Sequence, residues 1–204
     1  FQEAIGDYYL SENNAKFALT MYELAYHLIG PGNYSYLKKW TLLLKMADVL
    51  ETRFTGREEE TLRVLEQLFK ILEQYSKEKE ASLYRVKAVA LKAMVLEKTG
   101  KKKGYDFLIQ QRRTFEREKP SFHLFQICLE LAEAFQEYEE LGRYFLKLAK
   151  KNSEILPKLA LMNEKYDRWM FGEQEIENSE ELRKKLQDCY LRLLRLRYVY
   201  GHTK

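Results

Sequence analysis

The sequence predicts an all-α protein assembled from successive antiparallel helix pairs, and three observations predict it. First, the chain holds 32 Leu against 13 Val plus Ile, and straight-chain residues keep rotamer freedom in a helix that β-branched ones lose. Second, only 3 Pro and 9 Gly punctuate 204 residues, so turns are few and the elements between them long. Third, apolar residues recur at helical spacing, as in Leu62, Leu65, Leu68, Phe69 and Leu72, while no stretch alternates with period two.

The elements follow in order from their breaks. Gly30-Pro31-Gly32-Asn33 closes a first unit, Lys77-Glu78-Lys79-Glu80 a second, Glu118-Lys119-Pro120-Ser121 a third and Asn152-Ser153 a fourth. The expected units are about 1–33, 34–79, 80–119, 120–153 and 154–200, and a two-helix repeat of this length is the mark of a helical solenoid. Each unit has an inner break: Ser11–Asn14, Thr55–Glu58, Gly100–Gly104, Glu137–Leu141 and Gly172–Ser179. Thr55-Gly56-Arg57-Glu58 reads as a capping box. Gly100 and Gly104 are expected to supply the positive φ that a helix end favours, and Asn178 or Ser179 to cap the last helix. The faces Leu124, Ile127, Cys128, Leu131, Ala134, Phe135 and Leu182, Leu186, Cys189, Tyr190, Leu193, Leu196 support the later helices.

In the first unit Gly6 and Tyr9, then Ala18, Tyr22 and Ala25, stand at spacings that resemble a tetratricopeptide repeat, with Ile5 before Gly6 and Pro31 closing the unit. Small residues there let two helices approach closely while aromatics fill the grooves beside them. Leu91, Ala93, Leu96 and Gly100, and later Ala132 and Phe135, fit the first helix of their units. Tyr105, Arg112, Tyr144 and Lys151 stand where the family pattern has small residues. The resemblance implies a right-handed superhelix of about five antiparallel helix pairs, a tetratricopeptide-like α-solenoid, forming a single domain over 1–204. The run Ala18–Ile29 and the segment Leu42–Glu51 also resemble the helical repeats of multidomain signalling ATPases and of MalT-like transcription regulators. That narrower resemblance implies a module that senses inducers or partner proteins.

Composition bounds the function. Charged residues make up 32% and the formal net charge is +4, but both signs are interspersed along the whole chain, as on solvated helix faces. A nucleic-acid binder usually gathers its basic groups on one face. Cys128 and Cys189 are distant and lack metal-ligand spacing, so free buried thiols in a reducing compartment, and a cytoplasmic location, are expected. No stretch has the length and apolarity of a membrane helix. The chain opens at Phe1 already inside a helical pattern, which reads as a fragment of a longer polypeptide.

No catalytic, cofactor or metal constellation stands out. The fragment Thr99–Gly104 lacks the spacing and the Ser/Thr of a phosphate-binding loop. His27, His123 and His202 share no ligand spacing. The acidic runs Glu58–Glu60, Glu139-Glu140 and Glu173/Glu175/Glu177 lie at helix starts or in loops, where carboxylates stay solvated. The expected function is therefore a non-catalytic scaffold or sensor that binds a protein or peptide, without cofactor, inside a larger regulatory protein. A nucleic-acid-binding regulator using Lys101–Lys103, Arg112-Arg113 and the C-terminal arginines, and a self-association module, are the alternatives.

Carrying the repeat register through the chain points Asp7, Asp48, Lys87, Glu97, Gln126 and Glu133 toward a partner-binding groove. A polar groove of mixed sign suits a peptide better than an apolar small molecule. The last helix joins a leucine stripe to Arg183, Lys184, Lys185 and the run Leu191–Arg197. Arg192, Arg195, Tyr198 and Tyr200 are candidates for a terminal interface, with other domains of the parent chain or a second copy as the partner. Residues two apart on a helix point to different sides, so at least one of Tyr198 and Tyr200 is expected at a surface, and likewise for Tyr34 and Tyr36.

Overall fold

The computed structural model describes residues 1–30, 35–160 and 179–202, with the backbone alone at 156–160, 179–183 and 202. Among these residues there are nine α-helices and no strand: α1 (Gln2–Ser11), α2 (Ala15–His27), α3 (Ser35–Arg53), α4 (Glu58–Gln74), α5 (Ala81–Thr99), α6 (Lys103–Arg117), α7 (Phe122–Ala134), α8 (Glu139–Ala160) and α9 (Ser179–His202). The chain divides into two compact units, Phe1–Leu108 and Ile109–Lys204.

In the first unit α1 and α2 form an antiparallel pair. Asn14 caps α2, its Oδ1 accepting from the Phe17 amide at 3.2 Å. Gly6 explains how closely the two helices approach: a Cβ built there would lie 2.5 Å from Cε1 of Tyr22, a fully buried ring. Ala18, Tyr22, Leu42, Val49 and Leu50 form one core across α2 and α3. Trp40, Leu43, Leu65, Leu68, Leu72 and Ala88 form the next across α3, α4 and α5. Around buried Trp40, Tyr36 stacks on Tyr75 at 4.8 Å between centroids and Tyr84 lies 5.4 Å from the indole.

In the second unit α7 and α8 form a pair and α9 packs on both. Ser121 caps α7 by accepting from the Leu124 amide at 3.1 Å. Phe115 at the end of α6 meets Phe145 of α8 edge to face at 5.0 Å. Cys189, Leu193, Leu196 and Tyr200, at steps of four, three and four, are the buried stripe of α9. Tyr198 is 69% exposed and Tyr200 only 4%, so this pair separates as the spacing requires.

Three local expectations are corrected. The break at Asn152-Ser153 does not occur, because α8 runs from Glu139 to Ala160. Asn152 Nδ2 donates to the Leu148 carbonyl at 2.9 Å and Ser153 Oγ to that of Lys150 at 2.7 Å, so these residues bond back onto their own helix instead of ending it. Thr55 does not complete a capping box: α4 starts at Glu58 without a side-chain cap, and Glu58 Oε1 accepts from the Gly56 amide at 3.2 Å. Between α5 and α6 the left-handed residue is Lys102, at φ 67°, whereas Gly100 is extended. Gly104 is needed for closeness, since a Cβ there would strike the Ala93 carbonyl oxygen. The breaks at 31–34 and 172–178 lie outside the described residues.

Candidate functional site

The largest polar constellation in the first unit lies across α1, α3 and α5, the first helices of the first three expected repeats. Glu3 and Asp7, one turn apart on α1, present their carboxylates on one side. Lys45 of α3 donates to Glu3 Oε1 at 2.7 Å and to both Asp7 oxygens at 2.8 and 2.9 Å. The Tyr22 hydroxyl donates to the same Asp7 carboxylate at 2.6 Å, and the Lys45 ammonium lies 5.6 Å from the centre of the Tyr22 ring.

These contacts set the proton affinities. Burial raises the Tyr22 phenol well above its ordinary 10.0, and the bond to Asp7 adds to the rise because ionisation would put two anions in contact. Burial pulls the Lys45 ammonium down, but its hydrogen bonds to Asp7 and Glu3 and their charges outweigh that and leave it above its usual value. Lys45 is therefore charged at neutral pH.

The strip continues onto α5. Thr41, one turn before Lys45, spends its hydroxyl proton on the Leu37 carbonyl at 3.0 Å, so the Tyr84 hydroxyl donates to Thr41 Oγ1 at 2.7 Å. The Lys87 ammonium sits 5.8 Å from the centre of the Tyr84 ring, a cation–π contact. Asp7 and Lys87 are thus the two groove candidates that this strip brings onto one connected surface. Asp48 lies one turn along α3 from Lys45, and its charge adds to the rise of the Tyr22 phenol. Its side chain is exposed by area yet crowded by protein, and this desolvation, followed by the charge of Glu51, raises its carboxyl against the opposing pull of Arg53.

Glu97 serves a different purpose from the one its register suggests. Its carboxylate accepts from the amides of Lys102 at 2.9 Å, Gly104 at 3.1 Å and Tyr105 at 3.2 Å, and so closes the N-terminal end of α6. The neighbouring Lys98 pairs with Glu51 of α3 at 2.6 Å.

In the second unit Glu133 of α7 and Arg192 of α9 are joined to each other. The guanidinium donates in bidentate fashion, Nε to Oε1 at 2.9 Å and Nη2 to Oε2 at 2.6 Å. Tyr200 is buried and donates to the Ala132 carbonyl at 2.6 Å, lying so close to Gly142 that a Cβ there would overlap its hydroxyl. These three side chains hold α9 on its own unit. Gln126 is half-buried on α7, whereas Arg195 and Tyr198 are exposed on α9. Arg112 pairs with Glu140 at 3.1 Å and lies over the Tyr144 ring at 4.9 Å.

Sequence reasoning missed Lys45, the hub of the strip. The available signal was a single lysine inside the apolar run Leu42–Met46 together with two carboxylates four residues apart on α1. Among the described residues no group of three or more His, Cys, Asp and Glu could hold a metal, and no helix is long and apolar enough to cross a membrane. Comparison with family models, with curated proteins and with solved structures finds no match to the chain.

Proposed function

We propose that the chain is a non-catalytic binding module, a tetratricopeptide-like solenoid with a right-handed course, whose first-helix face receives a peptide or protein segment. The observation that carries this reading is the strip of α1, α3 and α5, in which Asp7, Lys45, Thr41, Tyr84 and Lys87 alternate in charge and hydrogen-bonding character. Such a surface offers a segment laid across three helices two cationic groups, a carboxylate pair and a phenolic ring. Gly6 against Tyr22, and buried Ala18, support the tetratricopeptide reading because they occupy the small and aromatic positions that resemblance assigns. A regulatory role inside a larger cytoplasmic protein belongs to the same proposal and rests on the resemblance of Ala18–Ile29 and Leu42–Glu51 to sensor repeats.

The test is selection of peptides from a displayed random library on the immobilised chain, followed by titration of those retained. Peptides that lose affinity at least tenfold against both Lys87→Glu and Tyr84→Phe place the site on this strip. Retention of no peptide, or peptides indifferent to both substitutions, would refute it.

A further inference from the structure

The helices at the beginning and end of the described chain are apolar on two sides, and the second side is exposed in both. In α9 the buried stripe of Cys189, Leu193, Leu196 and Tyr200 faces α7 and α8. Diametrically across the helix, at 100° per residue, lie Leu191, Leu194 and Tyr198, exposed by 58%, 58% and 69%. In α2 the positions Phe17, Met21, Leu24 and Leu28, at steps of four, three and four, form a similar outer stripe, with Leu24 42% and Leu28 61% exposed. The outer stripe of α1, Phe1, Ala4 and Tyr8, continues it. Tyr9 links Tyr8 to Phe17 through ring contacts of 5.6 and 4.5 Å, and Phe1 and Leu28 line one cleft. A contiguous apolar patch of this kind, spanning two helices, marks an interaction surface.

The fold shows how such a patch is covered. In the first unit the α1–α2 pair receives α3 on its inner side and the α3–α4 pair receives α5, while in the second α7–α8 receives α9. A helix pair is closed by one further helix, and α9 carries a spare stripe suited to do this a second time. The charges are complementary as well. With Glu3 and Asp7 neutralised by Lys45 and Arg192 by Glu133, residues 1–28 hold Glu12 and Glu23 against Lys16, whereas residues 184–201 hold four further basic side chains against Asp188. Two copies of α9 set against each other would instead confront like charges, which disfavours a symmetric α9–α9 contact.

We propose that a second copy of this chain is the partner: the Leu191–Leu194–Tyr198 stripe of one copy docks on the outer face of α1–α2 of the next. The contact is heterologous, so each copy uses one face as donor and the other as acceptor, and association propagates unless a ring closes. It uses a different face from the Asp7–Lys45–Tyr84 strip and stands independently of the peptide-binding reading.

The experiment is sedimentation velocity on the full chain from micromolar to hundred-micromolar concentration, at low and high salt, with Leu24→Asp and Leu194→Asp. Both substitutions replace exposed side chains, and circular dichroism checks that each variant folds. The wild type is expected to pass twice the monomer mass as concentration rises, and each variant alone to stay a monomer. An equimolar mixture of the two variants is expected to give a one-to-one dimer that grows no further, because one intact face remains on each partner. A monomeric wild type would overturn the proposal. So would a Leu24→Asp protein that still dimerises, which is the behaviour of an α9–α9 contact, or a mixture that stays monomeric. Binding of the wild type to anionic lipid vesicles without self-association would assign the α9 stripe to a membrane surface instead.

Discussion

Gly6→Ala tests the packing of the first helix pair because two effects of opposite sign meet there. In an ordinary helix interior, alanine for glycine stabilises by about 1 kcal/mol. Here the new methyl carbon would lie 2.5, 2.7 and 3.2 Å from Cε1, Cδ1 and Cζ of Tyr22, against about 3.5–4.0 Å for a relaxed carbon–carbon contact. The ring must move by roughly 1 Å, and it has little freedom, being fully buried and bonded through its hydroxyl to Asp7. Overpacking of this kind costs about 1–3 kcal/mol, and loosening a bond to a charged acceptor adds about 1 kcal/mol. The net expectation is a loss of about 1–3 kcal/mol, read as a fall in the urea midpoint of roughly 1 M at an ordinary dependence on denaturant. In a Tyr22→Leu background the clash is relieved and the same substitution should become neutral or stabilising. A higher midpoint for Gly6→Ala in the wild-type background would refute the reasoning, because propensity alone would then govern the site.

Further expectations follow from the same contacts. Glu97→Ala should cost about 1–2 kcal/mol by depriving the amides of Lys102, just before α6, and of Gly104 and Tyr105 in its first turn of the Glu97 acceptor. Hydrogen exchange at Lys102, Gly104 and Tyr105 should accelerate more than elsewhere; uniform exchange across α6 would contradict the capping role. The phenols of Tyr22, Tyr84, Tyr144, Tyr190 and Tyr200 are all raised above 10.0, first by burial. The unfolded chain therefore ionises near pH 10 while the folded chain keeps those protons, so stability is full below pH 10 and falls as pH rises beyond it; urea midpoints followed alongside tyrosine absorbance check this. Burial also pushes both thiols up, and Cys128 and Cys189 are almost completely enclosed. A disulfide reagent should therefore label neither at neutral pH until denaturant is added, and rapid labelling of the native chain would show that α9 opens locally.

Local composition made much of the helical order legible. Ser11–Asn14, Lys77–Glu80 and Glu118–Ser121 interrupt the chain with polar or turn-forming residues, and helices end and begin there. The tetratricopeptide resemblance assigned Gly6 a small and Tyr22 an aromatic position, and their contact came only with the packing of α1 on α2. Asn152-Ser153 misled because polarity marks a break only when the side chains have no acceptor in the preceding turn, and here both find one. The partners of the candidate residues were harder to read. Glu97 looked like a surface carboxylate until the sharp turn at Lys102 carried the next helix back onto it, and Glu133 meets Arg192 across 59 positions of sequence. Such encounters depend on how helices pack, which periodicity along one helix does not encode.

The principal contacts in the first unit join each helix to its neighbours one or two steps along the chain, and α7 and α8 pair directly in the second. Loop closure between such neighbours has a small entropic cost, and chains dominated by local contacts fold within microseconds to milliseconds. Because α3 rests on α2 and α5 on α3 and α4, partial structure can lengthen one helix at a time from a seed. Damage at one terminus should likewise fray inward from that end, leaving the interior pairs standing.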